Sequence, residues 1–298
     1  MNKWWWLLLI ITCWTAAGFA IFDLQQTQDC SNTPLSTKPN RIVSLAPNLT
    51  EILFALDLEK QIRLVTLNSD YPPAAAEKPK AGTFWQPNIE AIIAARPDLI
   101  VTLAFEQQKN LAERLKRINY NCLTVDIEKV NDLYEAVETI GTATGKQQEA
   151  RKLVTNIRKN LNKLSALVGT EEKVRVLWVV QREPLRVAGR DTFVNEMLEL
   201  AGGENAINST IYKYPPIGAE QVIACGADVI IEPSMQQKDL AAQQNSALKY
   251  WSKFLNVPAV ANKRIYIIQG DMVSRLSPRL YEGIENIARC LRPELFEN

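Results

Sequence analysis

The segment 146-KQQEARKLVTNIRKNLNKLSALV-168 decides the fold of this 298-residue chain. It contains neither glycine nor proline, and its apolar residues recur at helical spacing, at Ala150, Leu153, Ile157, Leu161, Leu164 and Val168. The pattern predicts one uninterrupted helix of about six turns, roughly 33 Å long at 1.5 Å per residue. Because one long helix joins the two halves and flexible hinges of Gly or Ser are absent, we expect the halves to move little relative to one another.

On both sides of this segment, short apolar runs alternate with helical patterns. The strand-like runs are 41–45, 63–67, 98–103 and 123–125 before it, and 174–180, 228–231 and 264–268 after it. Strands separated by helices predict a parallel sheet covered on both faces. The predicted fold class is α/β, with two doubly wound lobes (40–143 and 170–298) joined by a single long backbone helix (144–169). A ligand cleft is expected between the lobes, at the carboxyl ends of the strands.

The first residues differ in kind from the rest. A basic start is followed by an apolar run as far as Phe22, which predicts an export signal cut after Ala20. The run of roughly 19 residues is also long enough to span a bilayer if it is not cut, and a lipoprotein modified at Cys13 is a third alternative. Residues 1–22 are therefore a predicted signal peptide or membrane anchor, and 23–39 a flexible tether. Every alternative places the remaining chain outside the cytoplasm, and the predicted location is periplasmic.

Composition excludes several classes of function. Lys plus Arg number 34 against 33 Asp plus Glu, and no long basic run exists, which argues against nucleic acid as a partner. The chain has no histidine, so a Ser-His-Asp triad and the capture of zinc or manganese by imidazoles are both excluded. After the leader four cysteines remain, and sequence alone does not choose among their three pairings: Cys30, Cys122, Cys225 and Cys290.

Two acidic motifs occupy matching places in the two halves. Glu51 ends Asn-Leu-Thr-Glu after the first strand-like run, and Glu220 lies in Gly-Ala-Glu-Gln at the head of a later helical run. Two carboxylates on equivalent elements suit a partner that presents two basic sockets. We therefore predict a docking face that includes Glu51 and Glu220.

Six short motifs, in this order and spacing, resemble one known family. They are RIVSLAPNLTE (41–51), SDYPP (69–73), ARPDLIV (95–101) preceded by Glu90 and Ile93, GGEN (202–205), AEQV (219–222) and LSPR (276–279). Together they resemble the substrate-binding proteins of ABC importers of the helical-backbone type (class III), and within that group the cobalamin- and iron-siderophore-binding members. The resemblance covers Arg41 to Leu291. It implies a non-enzymatic receptor, without a cofactor of its own, that delivers a corrinoid to an ABC permease; the alternative cargo is a ferric siderophore or haem.

The resemblance also implies roles for particular residues. Paired acidic residues of the family contact arginines of the permease, which again selects Glu51 and Glu220. Aromatic residues in three loops indicate a large flat or apolar ligand, and Trp85 and Tyr214 are expected to face each other across the cleft, with Tyr71 nearby. Asp271 and Arg275 lie in a loop that aligns with a ligand-side loop.

One position departs from the cobalamin-binding pattern. Those proteins join a cysteine before Gly-Gly-Glu-Asn to one in the last helix, but here Ala201 occupies the first place. Cys290 must therefore pair elsewhere, with Cys225 as one option, or stay free.

Two other classes of protein use features that this chain also has. An enzyme such as a metal chelatase or a cofactor-bound reductase can share the two-lobed fold, and a membrane-tethered sensor would use an uncleaved anchor. The missing histidines, the missing glycine-rich phosphate loop and the export signal argue against the enzyme.

Overall fold

The structure is a computed structural model that describes residues 38–169, 172–234 and 239–297. The predicted leader and nearly all of the tether lie outside these residues, so export, anchoring, the modification of Cys13 and the pairing of Cys30 stay predictions. Among the helices of the described residues, none combines the length and the apolar character needed to cross a bilayer.

The first sheet is parallel throughout. In the described chain it contains four strands, in the order β2-β1-β3-β4. They are β1 (Ile42–Ser44), β2 (Ile62–Leu64), β3 (Leu99–Leu103) and β4 (Cys122–Val125). The helices of this lobe are α1 (Pro47–Ala55), α2 (Pro73–Ala76), α3 (Ile89–Ala94), α4 (Glu106–Arg117) and α5 (Val130–Thr144). The central strands are buried on both faces, as the continuous apolar runs predict.

The second sheet repeats this plan with an added antiparallel edge. Its strands are β5 (Val174–Arg182), β6 (Leu185–Val187), β7 (Gly203–Asn205), β8 (Val229–Ser234) and β9 (Ile265–Gln269). Strands β7, β8 and β9 run parallel to β5, whereas β6 pairs antiparallel with the end of β5. The helices are α7 (Phe193–Leu200), α8 (Ala219–Ala224), α9 (Leu240–Trp251), α10 (Pro258–Ala261) and α11 (Leu280–Leu291). Two doubly wound lobes are thus confirmed.

The predicted connecting helix, α6, runs from Gln147 to Val168, within one residue of its expected start. It packs against α5 of the first lobe and against α7 and α11 of the second. Gly141 of α5 permits this packing, because a Cβ added there would lie 2.5 Å from the Cβ of Ala150. The helix that connects the lobes therefore packs against both of them.

Local details differ from the expectations. The helical pattern of 50–58 predicts a first helix with Thr50 as its cap, but α1 begins at Pro47, since proline at a first helical position needs no hydrogen-bond acceptor for its nitrogen. Thr50 instead lies inside the helix and donates a hydrogen bond to the carbonyl of Ala46. Strands β6 and β7 were not predicted, because each is only three residues long.

A substitution at Gly141 tests the packing of α5 on α6. Glycine to alanine inside a helix normally stabilises a protein by up to about 1 kcal/mol. We expect Gly141→Ala to destabilise the protein instead, by about 1–3 kcal/mol, because the new methyl group overpacks against Ala150. Denaturant unfolding measures the difference, and Glu138→Ala, at an exposed position of the same helix, is the control. A stabilised Gly141→Ala protein would contradict the packing described.

Candidate functional site

Contacts between the two lobes occur near the carboxyl ends of the strands. Glu51 lies on the helix that follows β1, and Glu128 follows β4. Lys213 of the second lobe donates a hydrogen bond to Glu128 at 2.8 Å, and the amide of Val130 donates to the carboxylate of Glu196 at 2.7 Å. The cleft thus lies at the strand ends where the sequence predicts it.

On the first lobe, three aromatic side chains form a cluster that we call the aromatic platform: Phe84, Trp85 and Phe105. The ring centroids of Phe84 and Trp85 are 4.2 Å apart, and Phe105 meets Trp85 edge-on at 5.5 Å. Trp85 remains 59% exposed. A solvent-exposed tryptophan that packs against two other rings offers an apolar aromatic surface to a ligand. Sequence analysis identified Trp85 but missed Phe105, whose position directly after β3 was the available signal.

A tight turn brings the platform loop back onto the sheet. Gly82 adopts φ +86°, and a Cβ there would lie 2.9 Å from the carbonyl oxygen of Gln86, so another residue would displace the loop. The amide of Asn88 closes the loop by donating to the carbonyl of Ala81 at 2.6 Å. The loop that carries Trp85 is therefore shaped by its own backbone.

On the second lobe, Tyr214 lines a cavity of about 260 Å³ between the lobes. The other lining residues are Ile127, Glu128, Lys129, Arg190, Asp191, Thr192, Phe193, Glu196 and Lys213. Burial raises the pKa of the Tyr214 hydroxyl, so the side chain stays neutral and able to donate a hydrogen bond. Trp85 does not line this cavity, and the expectation that Trp85 and Tyr214 face each other stays a prediction.

Glu51 lies in a buried ion network that joins the two lobes. Its carboxylate is 3% exposed and accepts hydrogen bonds from Nε and Nη2 of Arg279 at 2.8 and 2.7 Å. Nε of Arg275 lies 3.2 Å from the same carboxylate. Because α1 belongs to the first lobe and Arg279 directly precedes α11 of the second, this pair crosses from one lobe to the other.

The sequence-based picture of Glu51 as an accessible docking residue is wrong for this arrangement. A carboxylate held on both oxygens by a buried guanidinium is not presented to another protein. The pattern misled because Glu51 is the fifth residue of α1 and not a residue of its first turn. The first turns of α1 are buried, together with the residues of the motif that precede Glu51.

Asp271 and Arg275, the predicted ligand contacts, belong to the same network. Asp271 accepts a hydrogen bond from Arg279 at 2.5 Å and another from Arg275. Asp70 lies 3.7 Å from Arg275, so the network combines three carboxylates with two guanidinium groups. For Asp271 or Arg275 to bind a ligand, these ion pairs would have to exchange partners.

Tyr71 covers the same network from the side of the first lobe. The guanidinium carbon of Arg279 lies 3.8 Å from the centre of its ring, a cation–π contact. The side chain is 41% exposed, so part of the ring remains open to the cleft. Its predicted contact with a ligand stays a prediction.

In the fold, the position in the first lobe that is equivalent to Glu220 is that of Glu90, not that of Glu51. Glu220 is the second residue of α8 and Glu90 the second residue of α3; both helices have six residues, and both carboxylates are exposed. Each helix precedes the strand that pairs with the first strand of its own lobe, β3 with β1 and β8 with β5.

Matching hydrogen bonds confirm that the two helices are equivalent. The carboxylate of Asp98 accepts from the amide of Arg41 at 2.9 Å, and that of Asp228 accepts from the amide of Arg175 at 3.0 Å. The arginine side chains then reach the carbonyls at the ends of the two helices, Ala95 at 3.1 Å from Arg41 Nε and Cys225 at 2.7 Å from Arg175 Nη2. The signal was available in the sequence, since 89-IEAIIA-94 aligns with 219-AEQVIA-224.

The described cysteines form no disulfide with each other. Cys122, Cys225 and Cys290 are free thiols, so the option of a Cys225–Cys290 bridge is wrong. Burial raises the pKa of the Cys122 and Cys290 thiols to about 11, which keeps them protonated. Within the described ranges, no three Cys, Asp or Glu side chains are grouped to hold a metal ion.

Comparisons with known proteins agree with this architecture. The sequence model of the periplasmic binding protein family matches residues 42–272. The chain is 30% identical to an uncharacterized ABC transporter substrate-binding lipoprotein, YvrC, of Bacillus subtilis, over 90% of this chain and 86% of that protein. It is 26% identical to the vitamin B12-binding protein of Vibrio parahaemolyticus, over 85% of this chain and 90% of that protein.

A solved structure from Staphylococcus epidermidis has a similar fold. It is described as a possible iron-binding (periplasmic solute-binding) protein. It superimposes with a TM-score of 0.74 at 30% identity, covering 85% of this chain and 99% of that one.

The ion network between the lobes generates a stability prediction. We expect Arg279→Met to lower the free energy of unfolding by about 3 kcal/mol, because the buried Glu51 loses its main partner. The control is Arg289→Met, which breaks an exposed pair with Glu285 on α11 and should cost less than about 0.5 kcal/mol. Urea denaturation compares the two variants. Equal losses of unfolding free energy would show that the buried Glu51–Arg279 pair is no more important for stability than an exposed pair.

Proposed function

The chain belongs to the periplasmic binding protein family and is a substrate-binding protein of an ABC importer, and from this premise we propose that it captures a corrinoid outside the cytoplasm and delivers it to the permease. The family binds substrates for transport and does not transform them. We further propose that the protein has no resident cofactor, so that the cobalt would arrive only as part of the cargo.

The observation that supports a corrinoid is the aromatic platform. A ring system about as wide as a corrin gains from stacking and burial on an aromatic face, and the exposed Trp85, backed by Phe84 and Phe105, offers such a face. The relative that is named a vitamin B12-binding protein adds support from sequence similarity.

The small cavity suggests how the cargo would divide between the lobes. Its volume of about 260 Å³ lies below the roughly 300–1,000 Å³ of sites that enclose drug-sized ligands. We therefore place the ring system on the platform and only a peripheral group of the cargo beside Tyr214. Hydroxyl, ammonium and carboxylate groups line that cavity, which suits the amide side chains of a corrinoid.

A ferric siderophore or haem is the second candidate cargo. It is favoured by the similarity to the solved structure described as a possible iron-binding protein. Against an anionic iron chelate, Arg275, the predicted ligand contact, and the neighbouring Arg279 are already paired with carboxylates.

Permease docking is proposed for Glu90 and Glu220. Their support is the matched, exposed position in the first turns of α3 and α8, and the role that the family resemblance gives to paired acidic residues. Glu220 keeps the role predicted from the sequence, and Glu90 replaces Glu51.

A cargo experiment tests the platform. We expect Trp85→Ala to weaken binding roughly tenfold to a hundredfold, because stacking and burial of one aromatic contribute on the order of 1–3 kcal/mol. Leu255→Ala removes a side chain of similar exposure from the loop between α9 and α10 and should leave affinity unchanged. Calorimetry with cyanocobalamin, cobinamide, a ferric hydroxamate and haemin ranks the cargoes, and tight binding of an iron compound without any corrinoid binding would select the second candidate.

A transport experiment tests docking separately from binding. Glu90→Arg combined with Glu220→Arg should leave cargo affinity intact and abolish uptake by cells, since the charges facing the permease are reversed. Glu113→Arg, at an exposed position of α4, should leave both unchanged. Normal uptake by the double variant would remove the docking proposal and leave the cargo proposal untouched.

A further inference from the structure

A completely buried amide side chain lies beneath the aromatic platform. Gln108 is the third residue of α4 and has no exposed surface. Its Nε2 donates to the carbonyl of Leu45 at 2.6 Å and to the carbonyl of Phe84 at 3.0 Å. Its Oε1 accepts from the amide of Leu103 at 2.7 Å. Both donor hydrogens and the acceptor of this amide are therefore used.

These three bonds join parts of the chain that are far apart in sequence. Leu45 directly follows β1, Leu103 ends β3, and Phe84 belongs to the platform loop. Phe105, the remaining platform residue, is the N-cap of the same helix that carries Gln108. Gln108 thus connects the two separate contributions to the platform, the loop with Phe84 and Trp85 and the helix start with Phe105.

An apolar residue of similar size would fill the same space without these bonds. Leucine or methionine would leave two backbone carbonyls and one amide without their present partner in a buried place, which is costly. Gln108 therefore satisfies three buried backbone groups, and because two of them follow or end strands and the third belongs to the platform loop, it ties that loop to the sheet.

We infer that Gln108 is a positioning residue for the cargo site, which sets the geometry of the platform and through it the affinity for a flat ring system. The role of Gln108 in cargo affinity rests on the proposed function, whereas its role in the geometry of the platform does not. The effect of Gln108 on the geometry of the platform is a property of the free protein, so it can be tested without any ligand.

Trp85 reports on the platform directly. The other two tryptophans of the described residues, Trp178 and Trp251, are almost completely buried, whereas Trp85 is exposed. Subtracting the fluorescence of a Trp85→Phe protein from that of its parent isolates the signal of Trp85, whatever the tryptophans of the leader contribute.

The first experiment compares Gln108→Met with Gln107→Met in the full chain. Gln107 is exposed on the same turn, so the chemical change is identical and only the buried hydrogen bonds differ. In Gln108→Met we expect stronger quenching of Trp85 by acrylamide and a faster decay of its anisotropy, with unchanged far-ultraviolet circular dichroism. Gln107→Met should match the parent. An unaltered Trp85 signal in a folded Gln108→Met protein overturns the inference.

The second experiment measures affinity for cyanocobalamin and for haemin. Loss of the platform geometry in Gln108→Met should weaken whichever probe the parent binds by about tenfold. An altered Trp85 signal with unchanged affinity overturns the specificity role. If the parent binds neither probe, the proposed cargo fails, while the fluorescence result still decides whether Gln108 positions the platform.

A second substitution covers the case in which Gln108→Met does not fold. Gln108→Glu keeps an oxygen to accept from the amide of Leu103 but, when it is ionised, places a carboxylate against two carbonyl oxygens. Burial raises the pKa of such a carboxyl, and below that pKa the protonated group donates one hydrogen bond again. We expect the Trp85 signal of Gln108→Glu to return toward that of the parent on acidification. A Trp85 signal that is the same below that pKa and at alkaline pH, where the carboxyl is ionised, overturns the inference.

Discussion

The bidentate pairing of Glu51 with Arg279 is the interaction on which the geometry of the cleft depends. The long helix α6 holds the lobes at one side, and this pair joins them again from α1 to the start of α11. Buried ion pairs contribute little net stability compared with apolar packing, but a buried charge that has lost its partner strongly destabilises the fold. The pair therefore favours one relative position of the lobes over others in which Glu51 would be buried without a counter-charge.

The network around this pair also shows contacts of three residues that sequence patterns alone did not reveal. Glu51, Asp271 and Arg275 are charged residues in family motifs, and a charged residue in a motif suggests a surface or a ligand contact. Their actual partners are each other, across 220 or more positions of sequence between Glu51 and the other two. A contact between distant parts of a chain leaves no local pattern, so only the folded structure reveals it.

Other features could be predicted because they are local or repeated. The helical spacing of 146–168 located α6 to within one residue, and continuous apolar runs located the buried strands. The three-residue strands β6 and β7 were not predicted, since three residues are too few to show the alternation of apolar and polar side chains typical of a strand. The equivalence of Glu90 and Glu220 could have been predicted from the sequence, because residues 89–94 repeat the pattern of 219–224. It required a comparison of these two helical segments rather than of the segments after β1 and before β8. The burial of Gln108 could not have been predicted, because nothing in the sequence shows which of the adjacent Gln107 and Gln108 is buried.

The paired clamps of Arg41 with Asp98 and of Arg175 with Asp228 have a consequence for how such a protein can change over evolutionary time. They lie at the amino ends of the strands in both lobes and tie each sheet to the helix beside it. The loops at the opposite ends carry the aromatic rings and take no part in these clamps. Under the proposed roles, substitutions in those loops would alter the recognised molecule while the frame, and the two helix starts that carry Glu90 and Glu220, keep their spacing. One transporter could in this way acquire a new cargo without a new contact surface for its receptor.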